Sequence, residues 1–211
     1  MKTDDFIGLL AADSAPPWRL RAVLAAAIAG GAAIAATLLF ATLGLRPDIN
    51  DALGSGRFLF KFVVTLALAV TAAMAVMRLG RPDATLGSKA LILAIAPALL
   101  GVAVIIELTV LPETQWLPKL VGRNAIDCLL LIPLLAIGPL ACLLLALRQG
   151  APSNPGLAGA VAGLAASGIA ATFYAANCAD DSPLFVTTWY SIATLLVAAG
   201  GYLIGRRWLR W

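Results

Sequence analysis

The chain has 211 residues, of which 61% are hydrophobic and only 12% are charged. Its mean hydropathy is +0.94, whereas a soluble domain has roughly a quarter of its residues charged, so a water-soluble globular fold is excluded. The net charge of +4 does not indicate nucleic-acid binding, because the basic residues lie at the ends of apolar runs and form no stripe. The apolar runs also lack the alternation that an outer-membrane barrel strand needs.

Six apolar segments approach or exceed the length needed to cross a bilayer, whose hydrocarbon core of about 30 Å takes roughly 20 helical residues. In chain order the predicted spans are Leu20–Leu43, Phe58–Met77, Ala90–Leu111, Ala125–Leu147, Leu157–Ala176 and Phe185–Ile204. Proline and glycine lie in the connections between them. The predicted fold class is therefore all-α, a polytopic membrane bundle of six helices. The first apolar run is too long for a cleavable signal peptide.

The distribution of lysine and arginine predicts the orientation, because positive residues near span ends stay on the cytoplasmic side. Ten of the fifteen lie in the N-terminal segment, the second and fourth connections and the C-terminal tail, against five on the other side. Seven of the eleven acidic residues lie on that other side. We expect a multi-pass protein of the bacterial inner membrane with both termini in the cytoplasm.

Small residues recur in the fifth span, where Gly159, Gly163 and Ser167 are spaced four apart. Such a stripe lets another helix approach closely. Pro133 and Pro139 lie inside the fourth span, where each removes a backbone donor. Packing is favoured over a hinge there, because neighbouring helices can satisfy the freed carbonyl groups.

The sequence offers little to an enzyme. It contains no histidine, which removes the commonest general base and metal ligand, and no glycine-rich phosphate loop. We therefore expect no catalytic residue and no resident cofactor. Lys61 and Glu107 lie near span ends, where snorkelling or an interfacial position accounts for a charged side chain.

Cysteine placement is the sharper signal. Cys128 falls in the first turn of the fourth span and Cys178 just after the fifth, so the predicted topology places both at the outer face. Cys142 lies roughly 20 Å deeper along the fourth helix. Two outward thiols can form a disulfide, or can bind a soft metal ion transiently with the nearby carboxylates of Asp180 and Asp181. The alternative is that all three cysteines pack as small hydrophobic residues.

Residues 1–18 form a separate segment, which we expect to be a cytoplasmic partner-binding peptide ahead of a six-helix domain at 19–211. Its pattern is that of a short acidic amphipathic helix, and such a helix can dock an apolar face in a groove of a partner. The candidate partner-binding residues are Asp4, Asp5, Phe6, Ile7, Leu9, Leu10 and Asp13. A disordered or interfacial leader is the alternative.

Motifs in the C-terminal half resemble a known family. They are LALRQGAP at 145–152, YAANCADDSPLFV at 174–186, and Trp189-Tyr190. These segments are similar to the NrsF family of negative regulators of sigma F, which are six-span anti-sigma factors of the bacterial inner membrane. The acidic N-terminal segment fits the family loosely, and the resemblance covers about the whole chain.

The resemblance implies a partner and a stimulus. The protein would hold an extracytoplasmic-function sigma factor at the membrane and release it when periplasmic cysteines respond to heavy metals or oxidants. The family's sensor cysteines map onto Cys128 and Cys178, whereas Cys142 has no counterpart. Membrane lipid is the other expected partner, and direct contact with nucleic acid is not expected.

Two other functions fit six apolar spans. A small transporter or channel would need polar residues along the span interiors, which are largely apolar here. A membrane thiol oxidoreductase would exchange its outward cysteines with a partner, but the sequence has no Cys-x-x-Cys motif. Both are weaker interpretations than a membrane-bound regulator.

Overall fold

The structure is a computed structural model that describes residues 17–81 and 87–210, without the side chains of Pro17, Trp18 and Lys89. The described chain contains helices and no strands. Its six long helices are α1 (Pro17–Thr42), α2 (Gly56–Leu79), α3 (Ile95–Val110), α4 (Ala125–Leu147), α5 (Pro155–Ala175) and α6 (Ser191–Trp208).

Short helical turns extend or connect these helices. A 3-10 turn, Gly87–Ala94, leads into α3, and the helical turn Pro183–Phe185 with the π-helical turn Val186–Tyr190 leads into α6. The connections contain the short helices Ile49–Ala52, Glu113–Gln115 and Trp116–Val121. With these extensions, six helices are long and apolar enough to cross a membrane. The prediction of six spans is confirmed, and every predicted boundary lies within four residues of the observed one.

The fifth helix, α5, lies at the centre of the bundle and is the most buried span. It packs against α2, α4 and α6. A Cβ atom placed on Gly163 would lie 2.7 Å from the Cα atom of Ala198 in α6, and Gly159 faces the backbone of Gly201 even more closely. On another side, Gly168 lies against Ala69 of α2. The predicted close approach at the glycine stripe is confirmed.

The prolines of α4 lie within a continuous helix. Pro133 and Pro139 interrupt neither end of it, and Pro139 is fully buried. A Cβ atom on Gly31 of α1 would lie 2.7 Å from the Cα atom of Pro139. Pro139 therefore contributes to helix packing between α1 and α4, as the sequence predicted.

The bundle has two distinct ends. At the terminal end, where α1 begins and α6 ends, Leu20 packs on Gly80 and Gly150, and the Arg148 guanidinium lies 4.9 Å from the centre of the Trp208 ring. At the opposite end, called the thiol end below, lie the α1–α2, α3–α4 and α5–α6 connections. The described chain thus begins and ends on the same side of the bundle.

Candidate functional site

Two cysteines meet at the thiol end. Cys128 is the fourth residue of α4, and Cys178 follows the last turn of α5, where its N–H bonds to the carbonyl oxygen of Tyr174. Both side chains are buried, with exposures of 0% and 1%, and neither forms a disulfide. The two side chains lie side by side and interact electrostatically. The two predicted sensor residues therefore form a sealed thiol pair.

Two tyrosines enclose the thiol pair. Tyr174 of α5 and Tyr190 of the π-helical turn are both buried, with ring centres 6.0 Å apart. The Tyr174 hydroxyl lies close to the Cys128 sulfur. Within the described residues the Tyr190 hydroxyl has no hydrogen bond of ordinary geometry, and it lies close to the Cys178 sulfur. The pair therefore lies directly against the turn that leads into α6.

A buried ion network lies directly beside the pair. The Lys61 ammonium of α2 donates to the Cys178 carbonyl oxygen at 2.8 Å and to an Asp181 carboxylate oxygen at 2.6 Å. The other Asp181 oxygen accepts a bond from Arg46 at 2.8 Å, and Arg46 also binds both oxygens of Asp48 at 2.7 Å. Asp181 therefore bridges two cations from different parts of the chain.

Lys61 corrects the sequence prediction. Snorkelling would have placed its ammonium in water, but the side chain is 0% exposed and fully hydrogen-bonded inside the bundle. Glu107 is also buried: its carboxylate accepts bonds from Arg57 at 3.1 Å and from the Ser182 hydroxyl at 3.0 Å. An ionic group removed from water needs a partner. Both charged groups find partners in the α5–α6 connection, which they thereby hold in place.

Asp180 has a structural task of its own. Its carboxylate accepts hydrogen bonds from the N–H groups of Arg123 and Asn124, at 2.9 and 2.8 Å, and from the Asn124 side chain at 2.9 Å. Asn124 immediately precedes α4. The carboxylate therefore accepts hydrogen bonds from backbone N–H groups at the start of that helix, and its negative charge faces the positive end of the helix dipole. This contact fixes the Cys178 turn to the helix that carries Cys128.

The predicted metal ligands are thus only partly brought together. Cys128 and Cys178 touch, whereas the carboxylates of Asp180 and Asp181 are bonded to α4 and to the two cations. In the parts of the chain that the structure describes, no group of three or more Cys, Asp or Glu side chains is placed to hold a metal ion. The two carboxylates are thus occupied by other partners.

The electrostatics distinguish Cys178 from an ordinary thiol. The interaction with the Cys128 side chain is the main reason that the pKa of Cys178 falls to about 7; burial opposes this shift, and the positive charge of Lys61 adds to it. Beside it, the pKa of Arg46 is raised, chiefly by its hydrogen bond to Asp48. The Cys178 sulfur lies 3.8 Å from the carbonyl oxygen of Asp180, to which the protonated thiol donates a hydrogen bond.

The remaining predicted residues lie elsewhere. Cys142 is half-buried and lies fourteen residues further along α4, about 20 Å from the pair along the helix axis. The partner-binding candidates lie outside the described residues; these are Asp4, Asp5, Phe6, Ile7, Leu9, Leu10 and Asp13.

Sequence reasoning missed Arg46 and Lys61 as parts of the site. The signal was present, because a lysine inside an apolar span is costly and needs an acidic partner. The acidic residues of the α5–α6 connection, Asp180 and Asp181, were the natural partners, but only the fold shows which of them pairs with Lys61.

The six apolar helices define a polytopic helical membrane protein, with a buried cysteine pair and a buried ion network at one end. A sequence model of the NrsF family, described as negative regulator of sigma F, matches residues 10–211. The chain belongs to this family and is an anti-sigma factor.

Two relatives extend over the full chain. The chain is 36% identical to the anti-sigma-F factor NrsF of Caulobacter vibrioides (strain NA1000 / CB15N), over 100% of both chains. It is 35% identical to the probable anti-sigma-F factor NrsF of Azospira oryzae (strain ATCC BAA-33 / DSM 13638 / PS), again over 100% of both. No solved structure gives a significant match.

Proposed function

We propose that this protein holds an extracytoplasmic-function sigma factor at the bacterial inner membrane and releases it when the Cys128–Cys178 pair is chemically modified. Residues 1–18 are the sigma-binding peptide and residues 19–211 are the sensor. The observation that carries the proposal is the contact between two buried thiols at the end opposite the chain termini. Oxidising compartments such as the periplasm permit the chemistry of such a pair.

Charge supports the orientation that this function requires. Ten of the fifteen lysine and arginine residues lie in segments at the terminal end, which is the end retained in the cytoplasm by the positive-inside rule. The sigma-binding peptide then faces the cytoplasm, and the thiol pair faces the periplasm. None of the connections between the spans is long enough to form a soluble domain, so the N-terminal peptide is the segment that binds the sigma factor.

A peroxide oxidises the pair to a disulfide in two steps. The Cys178 thiolate attacks one peroxide oxygen, the O–O bond breaks, and the leaving hydroxide takes a proton to become water. The resulting sulfenic acid is attacked by the Cys128 sulfur, which loses its proton as the S–O bond breaks and a second water leaves. Two thiols are oxidised to a disulfide, and one peroxide is reduced to two waters.

A soft metal ion acts on the same pair. Two thiolates bind an ion such as Cu⁺ while two protons are released. Because both sulfurs are buried, bulky thiols such as glutathione are kept out, whereas small oxidants and bare ions need only a local opening. The heavy-metal and oxidant stimuli therefore converge on one site.

The start of α6 offers a route for the signal. Tyr190 contacts the thiol pair and belongs to the π-helical turn Val186–Tyr190, and such turns are frequent at functional sites. The same turn borders a cavity of about 300 Å³ between α2, α3, α5 and α6, which leaves room for repacking. A tenfold loss of affinity for the sigma factor requires the binding free energies of the reduced and the modified protein to differ by only about 1.4 kcal/mol.

The peptide is tested by co-purification of the cognate sigma factor with the full-length protein. The triple variant Phe6→Ala, Leu9→Ala, Leu10→Ala is expected to reduce recovery at least tenfold, because it removes the apolar face of the predicted helix. Thr3→Ala is the matched control and should recover the sigma factor as the wild type does. Recovery of as much sigma factor with the triple variant as with the wild type would show that another part of the protein binds the sigma factor.

The sensor is tested by transcription of sigma-dependent genes after exposure of cells to peroxide or to Cu⁺. Cys128→Ser and Cys178→Ser should each abolish induction by both stimuli, since neither a disulfide nor a two-sulfur site can then form. Cys142 lies far from the pair along α4, so Cys142→Ser should show normal induction. Normal induction in both of the first two variants would refute thiol sensing.

A further inference from the structure

Lys61 joins α2 to the turn that carries Cys178. Its ammonium donates to the carbonyl oxygens of Cys178 and Asp180, at 2.8 and 3.4 Å, and to the Asp181 carboxylate at 2.6 Å. An ammonium group has three donors, so every one of them is directed at residues 178–181. Arg46 also binds this turn, at 2.8 Å to the Asp181 carboxylate and at 3.4 Å to the Cys178 carbonyl oxygen, but it comes from a connection and not from a span.

A lysine is an expensive way to fill this space. The side chain is 0% exposed within a largely apolar span, where a methionine would occupy similar volume without the cost of removing a charge from water. What the ammonium adds is direction, because it fixes two backbone carbonyl groups and one carboxylate at once. Its place in the bundle is therefore tied to the conformation of the Cys178 turn.

Lys61 differs from Arg46 in being fixed to a long helix. Arg46 lies in the α1–α2 connection and shares its guanidinium with Asp48, which is 53% exposed. Lys61 instead projects from α2, whose backbone meets α5 where Ala69 lies against Gly168. Because Cys178 directly follows α5, the α2–α5 contact holds Lys61 and the Cys178 turn in register.

We propose that Lys61 is a positioning residue, which holds the Cys178 turn so that the sulfur of Cys178 stays in contact with that of Cys128. The inference rests on the proposed function in taking this pair as the sensor. A disulfide requires the two Cβ atoms to lie about 3.8 Å apart. A turn released from Lys61 would meet Cys128 only in a fraction of its conformations, and the response to an oxidant would be slow.

The test uses the purified full-length protein in lipid nanodiscs. Disulfide formation between Cys128 and Cys178 is followed after addition of hydrogen peroxide, and labelling of each cysteine by iodoacetamide is measured by peptide mass spectrometry. Lys61→Met is expected to slow disulfide formation at least tenfold and to raise the labelling of Cys178 at least tenfold. Labelling of Cys142 should not change, because that residue lies far from Lys61 along α4. A rise there would indicate that the whole bundle has unfolded.

Lys119→Met is the matched control. Lys119 is another lysine at the thiol end, but its side chain is exposed and lies in the short helix Trp116–Val121. This variant should form the disulfide at the wild-type rate, and Lys61→Arg, which keeps a cation but not the compact ammonium, should fall between wild type and Lys61→Met.

Wild-type rates of disulfide formation in Lys61→Met would overturn the proposal. If Lys61→Met instead unfolds, seen as an equal rise in Cys142 labelling, Asp181→Ala decides: it removes one of the three acceptors, and a rate unchanged from wild type there refutes the role of Lys61. These measurements need no sigma factor. They are therefore independent of the induction experiment, which alone decides whether the pair is the sensor.

Discussion

Cys178 has a different environment from the other two cysteines. Charged or titratable side chains approach it from neighbouring helices, from the α1–α2 connection and from its own turn; they are Arg46, Lys61, Cys128, Tyr174, Asp181 and Tyr190. The Cys128 side chain and the nearby ammonium favour the negative form of its sulfur. Since the thiolate is the reactive form of cysteine, this environment favours Cys178 as the sulfur that attacks an oxidant.

The rate of oxidation should therefore depend on pH around 7. The pKa of Cys178 is lowered to about 7, so its thiolate dominates above that pH and is lost as the pH falls below it. Between pH 8 and pH 6 the thiolate fraction drops about tenfold. We expect the rate of disulfide formation with excess peroxide to level off above pH 8 and to fall about tenfold by pH 6.

Stopped-flow mixing of the purified protein with peroxide across this pH range measures the effect. An ordinary thiol, with a pKa of about 8.5, would instead give a rate that is still rising steeply at pH 8. That result would show that the environment of Cys178 does not activate it.

Among the secondary-structure elements, α5 and α6 have the closest backbone contact. Gly159 and Gly163 of α5 lie against Gly201 and Ala198 of α6, with no space for a side chain between them. In a membrane, where lipid is as apolar as the helices, such close packing is a principal source of helix association. The thiol pair touches both helices, because Cys178 follows α5 and Tyr190 precedes α6.

Gly159→Ala should consequently destabilise the bundle. The added methyl group would overlap the carbonyl oxygen of Gly201, and overpacking of this kind costs about 1–3 kcal/mol. Gly200→Ala is the matched control, because a Cβ atom there meets nothing within 4 Å. It should be neutral or stabilising, since alanine favours a helix over glycine.

Thermal unfolding in detergent, followed by helical circular dichroism, compares these two variants. A midpoint lowered only in Gly159→Ala supports the packing argument. Equal midpoints would mean that α5 and α6 can separate without loss of stability.

For the whole molecule, the decisive property is its orientation in the membrane. The proposed function needs the thiol end in the periplasm and the terminal end in the cytoplasm. Thr114 and Gln149 are exposed residues in connections at these two ends, so each can carry a reporter cysteine without entering the bundle.

In a background without native cysteines, Thr114→Cys should react with a membrane-impermeant maleimide in spheroplasts. Gln149→Cys should react only after the membrane is permeabilised, because the positive-inside rule places its connection in the cytoplasm. Labelling is read on a gel by the shift in mass. The reverse pattern would place the thiol pair in the cytoplasm and remove the basis for periplasmic sensing.

Much of this architecture follows from local sequence. The six spans were predicted to within four residues because bilayer thickness fixes the length of an apolar helix. The short helix Trp116–Val121 was not predicted, because it is too short for a periodic pattern to reveal. A close helix contact on α5 was predicted from the spacing of Gly159, Gly163 and Ser167, because small residues at a helical interval let two backbones approach. Only the structure shows that the partner helix is α6.

The sequence by itself determined the membrane bundle, its number of spans and the presence of two cysteines near one end. Only the tertiary structure decided that Cys128 and Cys178 touch, and that Lys61 is buried with Asp181 instead of reaching water. The physical reason is range. Hydropathy and helix spacing act over neighbouring residues, whereas the thiol pair and its ion network join α2, α4 and the α5–α6 connection, whose contacts form only when the helices pack.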